Sequence, residues 1–417
     1  MSMIPRVKGT QDFIDCRLFN FIVDQFAQHV ALYHFQQVAT PILEHVELFK
    51  RSLGQHTDVV SKEMFIIQQA DESKEQICLR PEATAPIVRS FIEANPTVPW
   101  KVYTYGPMFR YERPQKGRFR QFHQIDLEVI GAKSISQDVQ IITMLDRFFH
   151  EKLKLNNYSL QINFLGTPED RALYIKKLQN FLANAQGICE TCTQRATTNP
   201  LRIFDCKNEE CQKIYQKAPH VADHLSPDCQ KEWEQLKREL MLLSVSFVYN
   251  PQLVRGLDYY NKTVFEFVSG NLGAQNAFCG GGRYDQLVQQ LGAREDQPSL
   301  GAAIGIERLM MLLEPMQDSL PLGHQRPLYI LMPLTEAQQP LALLIADTLH
   351  AAHLVVDTLL DGDSLKSMMR KANKMGALYA LILGEQEQQN KTVVVKNMMT
   401  GDQQELPQID LVSFLKK

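Results

Sequence analysis

One ten-residue stretch, Gln121–Ile130, constrains the fold more than any other part of the chain. Its alternate positions sort by chemistry. Phe122, Gln124, Asp126 and Glu128 fall on one side, and His123, Ile125, Leu127 and Val129 on the other. Extended backbone sends successive side chains to opposite faces, so this stretch is a strand with one apolar face and one that carries an amide and two carboxylates. Trp100–Met108 alternates in a related way, with Val102, Thr104 and Gly106 between bulky neighbours. Phe109–Arg120, between them, is rich in Arg, Lys, Gly and Pro. The three segments predict an antiparallel pair joined by a long charged loop.

The rest of the chain divides around that pair. Its 417 residues suffice for two or three domains. Residues 1–165 read as mixed α and β: Phe19, Ile22, Val23, Phe26 and Val30 recur at helical spacing within Leu18–Tyr33, and Met64–Ile67 reads as a short strand. Residues 166–250 read as a mostly helical insertion. Thr167, Pro168, Glu169 and Asp170 make a helix start, and a second helix is expected near Lys231–Leu243. Strand-like and Gly-rich sequence resumes at 251–322, over Val254–Val268 and Asn276–Arg283, before Ser299–Glu314 turns into a helix. From 323 to 417 strands and helices alternate, which predicts a separate α/β domain with a mainly parallel sheet.

Composition removes several classes of function. Hydrophobic residues make up 44% and charged residues 22%, ordinary values for a globular protein. The net charge of −3 excludes a globally basic nucleic-acid coat, though not a local basic patch. No apolar run approaches the roughly 20 residues that span a bilayer. The first fifteen residues hold no apolar block, so a cytoplasmic protein is expected, with no membrane partner.

Several segments carry residues suited to chemistry. The loop from Arg110 to Arg120 holds Arg110, Arg113, Lys116, Arg118 and Arg120 against the single acid Glu112. Arginine outnumbers lysine four to one, which suits bidentate binding of phosphate or carboxylate beside the polar strand face. A solvated hairpin tip is the plain alternative. Glu82 and Thr84 sit at a helix start, where Glu82 also suits a capping role. Arg255, Asp258, Tyr259 and Tyr260 surround Gly256, and Gly280, Gly281 and Gly282 precede Arg283, Tyr284 and Asp285. That glycine run lets backbone approach a ligand closely, and it is no P-loop, because no Lys-Ser/Thr follows. Gly301–Arg308 puts Arg308 near the start of an apolar helix.

Together these segments resemble the class II aminoacyl-tRNA synthetases, and within them the histidyl-tRNA synthetase family. Motif one is matched by Leu18–Arg51 with Val38–Glu44, motif two by Gly106–Arg113 through Phe122–Glu128, and motif three by Gly301–Arg308. Leu253–Tyr260 and Ala277–Asp285 match the two histidine signatures. The likeness covers the whole chain. Ala83 stands where the family more often has Gly.

The resemblance implies an α+β fold: an antiparallel catalytic sheet of six or seven strands flanked by helices, a helical insertion and a C-terminal α/β anticodon-binding domain. It implies a ligase that activates L-histidine with ATP and Mg²⁺ as histidyl-adenylate and passes it to the 3′ end of tRNA(His), releasing AMP and pyrophosphate. By the same likeness Arg110 and Arg255 are catalytic. Glu82, Thr84, Arg110, Gln124, Glu128, Arg255, Tyr259 and Tyr260 bind histidine, with Glu128 also a candidate partner for a ring N–H. Arg110, Glu112, Arg118, Phe122 and Arg308 bind ATP. A homodimer through motif one is implied, and no editing domain.

Two features stay open at this level. Cys189, Cys192, Cys206 and Cys211 have spacings that admit a structural zinc ion or four reduced thiols in a small helical domain. From Gln325 to Lys417 nine Lys and Arg face ten Asp and Glu, so a tRNA surface there must be local. Lys366, Arg370, Lys371 and Lys374 on one helix are the candidates, a solvated helix face being the alternative. Two rivals for the whole chain are a regulatory paralogue of histidine biosynthesis and a tRNA-binding module with a dead site. Both are weakened by the presence of Arg110, Arg118, Arg255 and Arg308.

Overall fold

Apolar residues three and four apart wind Arg17–Ala31 into α1, which buries Leu18, Phe21, Ile22, Val23, Phe26 and Val30 on one stripe. The computed structural model describes residues 3–54, 57–68, 75–273, 275–322 and 326–416. After α1 comes β1 (Gln36–Gln37), then β2 (Leu43–His45), α2 (Val46–Leu53), β3 (Phe65–Ile66) and β4 (Ile77–Leu79). The last three strands form a small antiparallel sheet in the order β2-β4-β3. Helix α3 (Thr84–Ala94) leads to β5 (Trp100–Phe109) and β6 (Gln121–Ile130). These two pair antiparallel from Trp100↔Ile130 to Phe109↔Gln121 and leave residues 110–120 as the connecting loop. Helix α4 (Ile135–Arg147) and β7 (Ser159–Phe164) follow.

The insertion is helical: α5 (Pro168–Ala183), α6 (Glu190–Thr198), α7 (Glu209–Tyr215) and α8 (Pro227–Leu242). Helix α5 begins as its sequence dictates. Thr167 and Asp170 form a reciprocal capping box, and Pro168 fills a first-turn position whose N–H would have no helical partner. The chain then returns through β8 (Val248–Tyr249), β9 (Asn261–Val268), β10 (Ala277–Arg283), α9 (Leu287–Gln290), β11 (Ser299–Gly305) and α10 (Ile306–Leu313). Extended structure starts at Asn261 rather than Val254, because residues 255–260 form a loop.

The main sheet has eight strands, in the order β1-β5-β6-β11-β10-β9-β7-β8. Of its six antiparallel strands, β5, β6, β9 and β10 were legible as strands, β11 only as a strand or turn entering a helix, and β7 was not singled out. The two additional strands, β1 and β8, are two-residue pairings that run parallel to the sheet edges. Two residues carry no periodicity, so the expected six or seven strands fell short.

A second compact unit begins at Pro321. It contains β12 (Leu328–Pro333), α11 (Gln339–Ala351), β13 (Val355–Thr358), α12 (Leu365–Lys374), β14 (Tyr379–Leu383), α13 (Glu385–Asn390), β15 (Thr392–Asn397), β16 (Gln403–Pro407) and α14 (Leu411–Leu415). The expected domain start at 323 lies outside the described residues. Its sheet runs β13-β12-β14-β15-β16 and is mixed rather than mainly parallel. The first two pairings are parallel and the last two antiparallel: the chain returns through α13 to lay β15 against β14, and a turn at Gly401 (φ 82°) folds β16 back on β15. Both faces of β12 and β14 are covered: Tyr329, Leu331 and Leu381 enter one core, and Ile330, Met332 and Ala380 the other. That double burial explains their continuous apolar runs.

Candidate active site

The polar face of β6 is set by strand register. Gln124 lies opposite Gly106 of β5 and Gly305 of β11, Asp126 opposite Thr104 and Ala303, and Glu128 opposite Val102 and Gly301. One strand further, Gly280 and Gly282 of β10 face Ala303 and Gly301, and Glu266 of β9 faces Gly280. Directly opposed residues share a face. The sheet therefore presents a trough, with small residues as its floor and Gln124, Asp126, Glu128 and Glu266 as its polar flanks. Two glycines are required by close approach. A Cβ on Gly301 would collide with the Glu128 carboxylate, and one on Gly280 with the Arg255 guanidinium.

The N-terminus of α3 closes one end. Glu82 precedes the helix, and its carboxylate accepts the N–H groups of Thr84 and Ala85, both at 2.9 Å. It thus does the capping that Ala83 cannot do. The Thr84 hydroxyl donates to Glu128 Oε1 at 2.6 Å, and the Tyr284 hydroxyl donates to Glu128 Oε2. Both Glu128 oxygens are thereby engaged. Tyr259 lies against Tyr260 (centroids 4.6 Å apart) and edge-on to Tyr284 (5.6 Å). Burial raises the Glu82 and Glu128 carboxyls above the usual carboxylate range. Burial, with Glu82 nearby, pushes Asp126 up to about 8.

Arginines close the other side. Arg110, just past β5, donates from Nε to the Pro81 carbonyl at 2.9 Å and lies over the Phe122 ring at 5.4 Å. Arg118 pairs with Glu112. Arg308, in the first turn of α10, donates to the Gly117 carbonyl at 2.9 Å and the Ala277 carbonyl at 2.6 Å. Burial, then the charges of Arg110 and Arg118, pull Arg308 down to about 10. Arg255 pairs with Glu266 and lies 5.7 Å over Tyr260. Three buried polar atoms here lack a hydrogen-bond partner among the described residues: Gln124 Oε1, Asp126 Oδ2 and Arg255 Nε. Such atoms are costly in a folded chain unless water or a ligand meets them. The arrangement suits a polyanion along the arginines and a small zwitterion beneath the tyrosines.

Several site residues escaped the sequence reading. Asp126 was visible on the polar face but was not among the candidate contacts. Glu266 is a charge inside the apolar run Val264–Val268, a signal that was available. The 255–260 loop is also gripped from the insertion. Arg171 donates to the Tyr260 carbonyl at 2.7 Å, Asn199 to Asp258 at 3.2 Å, and Arg202 to the Gly256 carbonyl. No local pattern announces those contacts. The four cysteines of the insertion converge, their sulfurs all within 4.8 Å of one another.

A family model described as Histidyl-tRNA synthetase matches residues 17–309, and one described as Anticodon binding domain matches residues 329–417. The chain is 40% identical to the histidine–tRNA ligase of Solidesulfovibrio magneticus over 100% of this chain and 98% of that one. It is similar to the apo histidyl-tRNA synthetase structure from S. aureus, with a TM-score of 0.79, 31% identity and all of both chains covered. A structure from Bacillus halodurans, titled an ATP phosphoribosyltransferase regulatory subunit/histidyl-tRNA synthetase, shares the fold at TM-score 0.63 and 18% identity, over 92% of this chain and 99% of that one. Among the described residues, no helix is long and apolar enough to cross a membrane.

Proposed function

The chain belongs to the histidyl-tRNA synthetase family of class II aminoacyl-tRNA synthetases, and from that premise we propose how its residues carry out the work. It charges tRNA(His) with histidine for translation. In the first step an oxygen of the histidine carboxylate attacks the α-phosphorus of ATP in line, and the bond to pyrophosphate breaks. The nucleophile is already ionised, so positioning and charge neutralisation do the catalysis. In the second, a hydroxyl of the terminal ribose of tRNA attacks the carbonyl carbon of histidyl-adenylate, and AMP leaves.

Arg110 and Arg255 take the catalytic roles, holding the α-phosphate from opposite sides, with Arg110 also on the histidine carboxylate. Arg118 and Arg308 hold the β- and γ-phosphates of ATP, which arrives as its Mg²⁺ complex. Glu112 and Phe122 complete the nucleotide site, each already against an arginine. Glu82, Thr84 and Gln124 receive the histidine amino group, with Asp126 added. Tyr259 and Tyr260 line the imidazole pocket. Glu128 acts through Thr84 and Tyr284, which occupy its oxygens.

The catalytic core spans 1–165 and 251–322, the insertion 166–250, and the anticodon-binding domain 323–417. Motif one forms a homodimer interface, for which exposed Leu32, Ile42 and Leu43 are suited. The compartment is the cytoplasm.

The observation that carries the residue assignment is the set of unpartnered buried atoms, Gln124 Oε1, Asp126 Oδ2 and Arg255 Nε. The test is histidine-dependent exchange of labelled pyrophosphate into ATP, without tRNA, against all twenty amino acids. Exchange with histidine alone, abolished in Arg255→Ala, supports the assignment. Undiminished exchange in Arg255→Ala sinks it. A folded protein that binds histidine without exchange brings the regulatory paralogue forward.

A further inference from the structure

The insertion contains a group of side chains that the ligase reaction does not use. Cys189 caps α6 and Cys192 lies in its first turn, Cys206 follows a short helix over Pro200–Asp205, and Cys211 lies in α7. Two chain turns therefore offer two sulfurs each. All four sulfurs lie within 4.8 Å of one another, and Cys189 and Cys206 are 3.8 Å apart. A tetrahedral zinc ion with Zn–S bonds of about 2.3 Å sets its sulfurs roughly 3.8 Å apart. Disulfides need sulfurs at about 2 Å, and all four cysteines are free. Backbone N–H groups point at the sulfurs, from Cys189 to Cys211 at 3.2 Å and from Asn208 to Cys206 at 3.4 Å. Such donors stabilise thiolate ligands around a metal. Cys192, Cys206 and Cys211 are buried and Cys189 is half-buried, as suits a four-ligand structural site.

We propose that Cys189, Cys192, Cys206 and Cys211 bind one structural zinc ion that fixes the insertion segment gripping the 255–260 loop. The ring of chain between Cys192 and Cys206 carries two of the three gripping residues, the third being Arg171 on α5. Asn199 donates to Asp258, and Arg202 donates to the Gly256 carbonyl while pairing with Asp205, the neighbour of Cys206. Zinc closes this segment at its two ends. Without it, the segment must hold that geometry through the packing of Ala196, Leu201, Ile203 and Phe204 alone. Redox-inert, four-sulfur coordination suits a brace rather than a catalyst. The metal assignment stands without the histidine-site reading, whereas its effect on histidine binding rests on that reading.

The experiment is metal analysis and X-ray absorption of the full chain purified without chelator. The expected result is one zinc per chain, with four sulfurs at about 2.3 Å. Cys192→Ser and Cys211→Ser should each lose most of the zinc and raise the KM for histidine several-fold in pyrophosphate exchange. Arg202→Ala should keep its zinc and share the KM rise. Should the serine variants fail to fold, cobalt substitution of the unaltered chain decides through the visible bands of a tetrahedral tetrathiolate centre. Four titratable thiols with no zinc after anaerobic reconstitution overturn the proposal, as does iron in place of zinc or a disulfide among the four cysteines. Zinc bound as expected, with KM unchanged in both Cys192→Ser and Arg202→Ala, overturns the bracing role while leaving the metal site.

Discussion

Two loops carry Arg110, Arg118 and Arg255, and they are held in opposite ways. The 110–120 loop is closed mostly by itself. Arg110 N–H bonds the Arg120 carbonyl at 2.9 Å, Gln115 and Arg118 bridge its tip, and Arg120 stacks on Tyr111 at 3.8 Å. The 255–260 loop has almost no such internal ties. Its fixings come from Arg171 on α5, Asn199 and Arg202 in the insertion, and Glu266 on β9. A hairpin between paired strands inherits its position from register. A loop fastened by distant parts of the chain depends on each of them staying in place.

The largest effects should come from the charge each loop delivers, and there the two should look alike. Removing a preorganised group that stabilises transition-state charge costs about 10²–10³-fold in kcat. Arg110→Ala and Arg255→Ala should each lower histidine-dependent exchange by at least that much, with circular dichroism unchanged. Lysine should not restore either, since it lacks the planar fork that meets two oxygens at once. A loss confined to one loop would break the symmetry of this assignment.

A smaller effect should separate the loops. Arg202→Ala removes a charge-assisted bond to the exposed Gly256 carbonyl, a loss of about 1 kcal/mol. The KM for histidine should rise about five- to tenfold, with kcat within a factor of two. Gln115→Ala, at the tip of the self-closed loop, should change either constant by less than about twofold. Equal sensitivity at Gln115 and Arg202 would mean that the insertion does not position the histidine loop.

The same contrast decides what was legible in the sequence. The polar face of β6 was readable because alternation is a local property: Gln124, Asp126 and Glu128 show their common side within five residues. The box at Thr167 and the helix of Arg308 were readable for the same reason. The mixed C-terminal sheet was not, because β16 (Gln403–Pro407) is mostly polar, with Leu406 alone packed against the core, and so shows no apolar alternation. Nor was the grip of Asn199 and Arg202 on residues 256–258, which joins positions more than fifty residues apart. Glu266 lies between. Its place inside an apolar strand marked it as unusual, but only the fold reveals Arg255 as its partner.

The β6 face also predicts a pH effect that the loops do not share. Asp126, held at about 8, is largely protonated in the free protein at neutral pH. Its folded pKa exceeds its unfolded value near 4, so the folded state binds more protons between those limits. Stability of the free protein should therefore fall as pH rises from about 4 to about 8. The ammonium of histidine favours the ionised form and should release that proton on binding. Calorimetry at pH 7 in buffers of different ionisation enthalpy should show net proton release, and affinity should improve between pH 7 and 8.5 by no more than about tenfold per unit. Asp126→Asn should abolish the release. Release unchanged in that variant would assign it to another group.

The smallest effects belong to the surface of α12. Lys366, Arg370 and Lys374 are exposed at a spacing of four, on one helix face. Lys371 differs, because its ammonium sits 2.5 Å from Asp363 and 3.8 Å from Asp361, and a carboxylate-paired lysine offers little charge to phosphate. In aminoacylation assays Lys371→Ala should change the KM for tRNA by less than about twofold, the range of an exposed ion pair. Lys366→Ala with Arg370→Ala should raise it about three- to tenfold at low salt, and less at high salt, as contacts that release counterions do. Were Lys371 the most sensitive of the four, the acids at 361 and 363 would have to leave it when tRNA binds, and this face would resemble the histidine loop rather than the self-closed one.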